Sequence, residues 1–191
     1  MASVLVVYGS SEGQTAKIAN RVVERLQSRG HDATAVDAGA LDPEFAVGDF
    51  DAVVVGSSIH VGRQQPSVRS FVEASGDALA ALPTAFFQVS LSSAVDDAER
   101  RAEAAGYVEA FLDATGWHPD RIARFGGALR YSEYGFLQRL LMKRIASEAT
   151  GDTDTARDYE YTDWAEVDAF AEDFAAFVEG RLGVSPATTR S

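Results

Sequence analysis

The sequence predicts an α/β fold: a doubly wound, five-stranded parallel sheet with an inserted basic amphipathic helix after strand five. Three observations lead there. Short apolar runs, such as V-L-V-V at 4–7 and V-V-V at 53–55, alternate with stretches of helical period. Runs with no interleaved polar residue are how strands buried on both faces read. Three strands break directly into loops that start with Gly or Ser, which puts three small-residue loops at one edge of the sheet. A length of 191 residues suits one such domain, read here as 1–183 with a disordered tail at 184–191.

The first strand opens into the loop Gly9 to Gly13, and a helix begins at Gln14 and Thr15. Strand, tight loop and helix start make an anion site. First-turn N–H groups lack intrahelical partners, and the helix dipole favours negative charge. Ser10, Ser11 and Thr15 add hydroxyl donors, and Gly13 lets the backbone approach an oxygen closely. The loop has no Lys, no G-K-[ST] ending and no G-x-G-x-x-G, which excludes a Walker A loop and a dinucleotide fingerprint. A hydroxyl-rich loop without a cation suits one terminal phosphate, as on FMN, with Glu12 pointing away. The competing reading is an ordinary βα turn. The helix runs to about Arg29, with Ile18, Ala19, Val22 and Leu26 on one face.

A weak second strand spans 33–36. The third, 50–56, ends in Ser57, Ser58, Ile59, His60, Val61, Gly62 and Arg63. This second loop is predicted to face the edge of a flavin ring, with His60 stacking, donating or solvated. Pro66 starts the next helix, with Val68, Phe71 and Val72 inward. The fourth strand, 84–89, ends in a third loop of Ser90, Leu91, Ser92 and Ser93. Small residues ease tight turns whatever the function, so three such loops say more than one. A long helix follows over about 95–115, with Ala98, Ala102, Ala105, Val108 and Leu112 expected inward. The fifth strand is expected around 122–128.

Residues 130–160 then form an insert. Within it, 132–147 reads as an amphipathic helix with Phe136, Leu137, Leu140, Leu141 and Ile145 apolar and Arg139, Lys143 and Arg144 basic. Such a helix suits an anionic membrane surface, an acidic partner or substrate, or plain packing with a solvated Arg face. Residues 159–162 read as extended. Asp163 is an N-cap with Glu166 in capping-box relation, and the last helix runs to about Leu182 with Val167, Phe170, Ala171, Phe174, Phe177 and Val178 inward.

The net charge of -12 argues against nucleic acid as a partner. Lys occurs only at Lys17 and Lys143, a composition suited to a high-salt cytoplasm and so to a halophilic source. With no Cys there is no disulfide, thiolate metal site or Cys nucleophile. His31, His60 and His118 lie far apart, and no metal site is expected. No apolar run is long enough to span a bilayer, and no signal peptide precedes the first strand. The expected location is cytoplasmic, with peripheral membrane contact through 132–147.

Ser10, Gly13 and Thr15 resemble the flavodoxin phosphate loop, roughly [ST]-x-T-G-x-T. Further segments narrow the resemblance: Gly13-Gln14-Thr15, the 56–62 loop, Trp117-His118-Pro119-Asp120-Arg121, Gly127-Ala128-Leu129-Arg130-Tyr131, Thr153-Asp154-Thr155 and Tyr161-Thr162-Asp163-Trp164. Together they look like the HemG-type, quinone-dependent protoporphyrinogen dehydrogenases, a flavodoxin-like family. The resemblance covers residues 4 to about 177. It implies FMN held by Ser10, Ser11, Glu12, Gly13, Gln14 and Thr15, by Ser57, Ser58, Ile59, His60 and Gly62, and by Ser90, Leu91 and Ser92. It implies a porphyrinogen as substrate, a quinone as acceptor and flavin-centred chemistry beside His60 and Arg63. Arg130, Tyr131, Arg139 and Lys143 of the insert would meet the substrate. The family pattern leads one to expect Arg at position 60 and His at 63; here they are His60 and Arg63. The alternative is a flavodoxin-like electron carrier serving a redox protein. Against it, 57–65 and 90–106 contain none of the aromatics that commonly flank the flavin in carriers. A flavin-free receiver module would need an Asp where Gly56 and Ser57 stand.

Overall fold

The computed structural model describes residues 1–42, 45–94, 98–129 and 159–185. Five parallel strands lie in the order β2-β1-β3-β5-β6: β1 (Ser3–Gly9), β2 (Asp32–Asp37), β3 (Ala52–His60), β5 (Thr84–Ser90) and β6 (Arg121–Gly126). A short β4 (Arg63–Gln64) pairs antiparallel with the end of β3. A separate two-stranded ribbon joins β7 (Ala128–Leu129) to β8 (Tyr159–Glu160). The parallel five-strand sheet is the one the sequence predicts.

Alternation along each strand divides the core in two. Val4 and Val6 face α1 (Gln14–Ser28) and α5 (Trp164–Leu182), while Leu5 and Val7 face α2 (Pro66–Ala74), α3 (Gly76–Ala81) and α4 (Ala98–Thr115). The sheet is thus covered on both sides, which is why its central strands carry no polar alternation. Gly56 and Phe87 are register partners on β3 and β5. A Cβ on residue 56 would stand 2.0 Å from Phe87 Cζ, so the ring occupies the place of a side chain.

Helices α1 and α5 are tied by ions as well as by packing. Arg21 donates from Nε and Nη2 to Asp168 at 2.7 and 2.9 Å, and Arg25 joins the same carboxylate. Arg29 donates to Glu179 at 2.7 Å, and His31 Nε2 lies 3.1 Å from it. The hydrogen bonds from Arg21 and Arg25 hold the Asp168 carboxyl far below its usual range. Asp163 caps α5 as expected, its Oδ1 accepting from Ala165 N and Glu166 N.

Several expectations need correction. The stretch 57–60 is not loop but the last turn-ward part of β3. The fifth strand stops at Gly126. The inward face of α4 is Ala104, Val108 and Phe111; Ala98 and Ala102 are exposed. Phe111 decides this, because its ring stacks on Phe86 at 5.2 Å and draws its own helical stripe inward. Phe177 is half-buried beneath the Arg121 guanidinium, 4.3 Å from the ring centre. Val184, assigned to the tail, packs against the α1–α5 core. The expected helix at 132–147 lies outside the described residues.

Candidate functional site

The carboxyl ends of β1, β3 and β5 form one rim, built from three loops. In the first, Gly13 has φ 81°, a conformation open to glycine, and it turns the chain into α1. Ser10 Oγ accepts from Gly13 N at 2.9 Å. The first helical bond is Lys17 N to Gly13 O at 3.1 Å, so the amides of Gln14, Thr15 and Ala16 open the helix with no intrahelical acceptor. Thr15 is 1 % exposed, and among the described residues its Oγ1 has no partner. A buried hydroxyl left unpaired beside a helix N-terminus is what a phosphate oxygen would satisfy. The loop therefore fits a phosphate monoester. Ser11 is exposed at its tip.

The cation nearest in sequence is already engaged. Lys17 Nζ lies 3.2 Å from Glu160, which also accepts from Trp164 Nε1 at 2.9 Å. Burial raises the Glu160 carboxyl, but the hydrogen bonds from Trp164 and Lys17 outweigh it and leave the group below its usual range. Gln14 Nε2 donates to Thr162 Oγ1 at 2.8 Å, and Thr162 donates to Gly126 O at 2.7 Å. The chain from β8 into α5 thus braces the first loop. Sequence reasoning gave Glu160 and Thr162 no role at this rim, since 148 residues separate Gln14 from Thr162.

The second loop is a β-hairpin. His60 and Arg63 are paired across it, and Val61 and Gly62 form its two-residue turn at φ 50° and 72°. A turn of that hand follows the twist of the strands and needs positive φ at both positions. For the β-branched Val61 that conformation is strained, yet its side chain is 87 % exposed at the tip. The hydroxyls of Ser57 and Ser58 are occupied by the hairpin foot: Ser57 Oγ accepts from Gln65 N at 2.9 Å, and Ser58 Oγ from Gln65 Nε2 at 2.8 Å. They shape the loop, and Ser57 is fully buried. Ile59 is half-buried; His60, Gly62 and Arg63 are exposed. Since positions 60 and 63 share one rung, the interchange of His and Arg leaves both basic groups at the same place.

In the third loop, Ser90 Oγ and Ser93 Oγ lie 2.8 Å apart, and Leu91 is half-buried. Ser92 Oγ donates to Glu103 at 2.7 Å. Glu103 also accepts from Tyr107 Oη at 2.7 Å and from Arg100 at 3.2 Å. The hydrogen bond from Ser92 leads the causes that lower the Glu103 carboxyl, and that carboxylate in turn raises the Tyr107 phenol. A Cβ on Gly62 would stand 3.7 Å from the Tyr107 ring. An aromatic therefore does reach the rim, from α4. Position 107 is the first residue beyond the aromatic-free stretch 90–106, and the Glu103–Tyr107 spacing of one helical turn is its signal.

The three loops thus lie on one rim. Arg130, Tyr131, Arg139 and Lys143 lie outside the described residues. A groove of about 540 Å³ runs elsewhere, along β6 between α4 and α5, lined by Val108, Leu112, Ile122 and Phe170 and sharing none of the rim side chains. Among the described residues no cluster of three metal-ligating side chains occurs, and no helix is long and apolar enough to cross a membrane.

Comparison with known proteins gives a consistent picture. Residues 5–156 match the model of a flavodoxin domain family. The chain is 32% identical over 172 residues to the protoporphyrinogen IX dehydrogenase (quinone) of Escherichia coli K12, covering 90% of this chain and 93% of that one. It is 32% identical over 176 residues to a protein of the same name from Leishmania major, covering 90% and 74%. Among solved structures, a flavodoxin from the domain Archaea superposes with a TM-score of 0.53 at 16% identity, over 93% of this chain and 99% of that one.

Proposed function

This chain belongs to the flavodoxin family, among the quinone-type protoporphyrinogen IX dehydrogenases, and from that premise we propose that it oxidises a porphyrinogen with a quinone as acceptor. It is an oxidoreductase and its cofactor is FMN. The observation that carries the cofactor assignment is the buried Thr15 hydroxyl at the start of α1, unpartnered among the described residues. Bound there, FMN would supply the two-electron oxidising chemistry of its ring.

The protein's own residues bind, orient and exclude water. Thr15, Ser10 and the first amides of α1 hold the phosphate, and Lys17 stays with Glu160, so the grip is made by neutral donors. The hairpin tip and the third loop flank the ring end, with Val61 giving it an apolar surface. His60 and Arg63 stand side by side on the hairpin, where the Arg63 fork would meet a carboxylate of an acidic tetrapyrrole bidentately and His60 would supply a ring N–H donor. Arg130, Arg139 and Lys143 belong to the same proposal, as does attachment of 132–147 to the cytoplasmic face of a membrane.

The test is an anaerobic assay of the FMN-loaded protein with protoporphyrinogen IX and menaquinone. Porphyrin formation coupled to quinone reduction is the expected result. A protein that exchanges electrons only with redox proteins is a carrier, and one that takes up no FMN contradicts the whole reading.

A further inference from the structure

One acidic side chain joins the two loops that flank the ring end. Glu103 accepts from Ser92 of the third loop at 2.7 Å and from Tyr107 at 2.7 Å, and the Tyr107 ring lies under Gly62 of the hairpin tip. The hairpin foot is fastened to the same helix turn. Gln64 Nε2 donates to Tyr107 O and to Gln88 Oε1, both at 2.9 Å, and Gln88 Nε2 donates to Ala104 O at 2.9 Å. Gln88 is wholly buried in β5, so this amide chain is a fixed base. Above it, side chains of α4 join the second loop to the third. Hydrogen bonds to an ionised acceptor are the strong ones, and the Glu103 carboxylate accepts three of them.

We propose that Glu103 and Tyr107 form a brace that sets the gap between the hairpin tip and the third loop, and thereby the fit of the flavin ring rather than of its phosphate. This rests on the flavin reading above. Glu103 and Tyr107 are positioning residues. They bond none of the residues of the phosphate loop among the contacts described, so ring and phosphate are held by separate devices. The carboxylate also puts a fixed negative charge between the two loops, which disfavours added electron density nearby.

The test uses riboflavin, which has the ring and no phosphate, and inorganic phosphate as separate probes of the full chain. Tyr107→Phe is expected to weaken riboflavin and FMN alike by roughly tenfold, the loss of one hydrogen bond to a charged group, and Glu103→Gln, which takes the charge from three contacts, by at least as much. Phosphate affinity should not change. Glu103→Gln should also raise the reduction potential of bound FMN, whereas Tyr107→Phe should move it less. Ser92→Ala, a smaller change, gives the same pattern and guards against a variant that fails to fold. Riboflavin affinity within twofold of wild type in all three variants overturns the brace. So does an equal loss of phosphate affinity, which would mean general loosening. If wild-type protein binds no flavin, both the brace and the flavin reading fall.

Discussion

Gln14 and Thr162 meet at 2.8 Å, one at the start of α1 and the other just before α5. Thr162 passes the contact on to Gly126 O at the end of β6, so one hydroxyl joins the first loop to the sheet edge. Thr162→Val keeps the shape and removes both bonds. The expected result is a loss of about 1–2 kcal/mol of stability and roughly fivefold weaker FMN binding. Denaturant titration and flavin fluorescence measure the two effects.

Phe87 fills the space above Gly56, and no methyl group can share it. Gly56→Ala should cost about 2 kcal/mol by overpacking. For a chain of this size that lowers the melting temperature by roughly 4–8 °C. A companion change, Phe87→Leu, should recover part of the loss in the double variant, because the two effects share one site.

Val61 holds a backbone conformation that suits Asn or Gly better. Val61→Asn is expected to stabilise the protein by about 1 kcal/mol, read as a higher melting temperature. The same change removes the exposed apolar tip, so FMN binding should weaken while stability rises. Parallel gains in both would show that the tip has no part in the site.

The pH dependence follows from the ion pairs between α1 and α5. Asp168 is held below its usual range by hydrogen bonds from Arg21 and Arg25, and Glu179 by Arg29 and, less, by His31. A carboxyl whose folded pKa is depressed adds stability that is complete above its unfolded pKa, about 4, and is lost as pH falls through the folded value. Stability should therefore be flat near neutrality and fall below about pH 4. Asp168→Asn should be less stable at pH 7 and show a shallower acid limb. An acid limb as steep as wild type would remove Asp168 from the account. High salt should weaken the contribution, since Arg21 and Arg25 are about one-third exposed.

Much of this was legible in the chain itself. The runs around Val4–Val7 and Val53–Val55 place the central strands because burial on both faces admits no polar residue there. Asp163 and Pro66 mark helix starts through local capping and φ preferences, which do not depend on the rest of the fold. What stayed hidden depends on distant partners. The inward face of α4 follows from Phe111 meeting Phe86, and alanines on several faces offered no contrast for a periodic reading. The hairpin at 57–64 was missed because Val61 is a poor turn residue by preference, and Ser57 and Ser58 look like loop until their hydroxyls are seen bonded to Gln65. Thr162, Glu160 and Tyr107 reach the rim through tertiary folding that spacing along the chain does not encode, except for the single helical turn from Glu103.

The ribbon of β7 and β8 has a consequence for how the chain tolerates change. Ala128 pairs with Glu160 and Leu129 with Tyr159, while Gly127 is bonded on one side to Ser90 O and on the other to Tyr161 N. The polypeptide therefore departs and re-enters at adjacent points, a zipped doorway with its frame fixed to the sheet. Whatever is spliced between 129 and 159 can grow, shrink or be exchanged without moving that frame, so new specificities can be grafted at this doorway while the older scaffold behind it stays as it is.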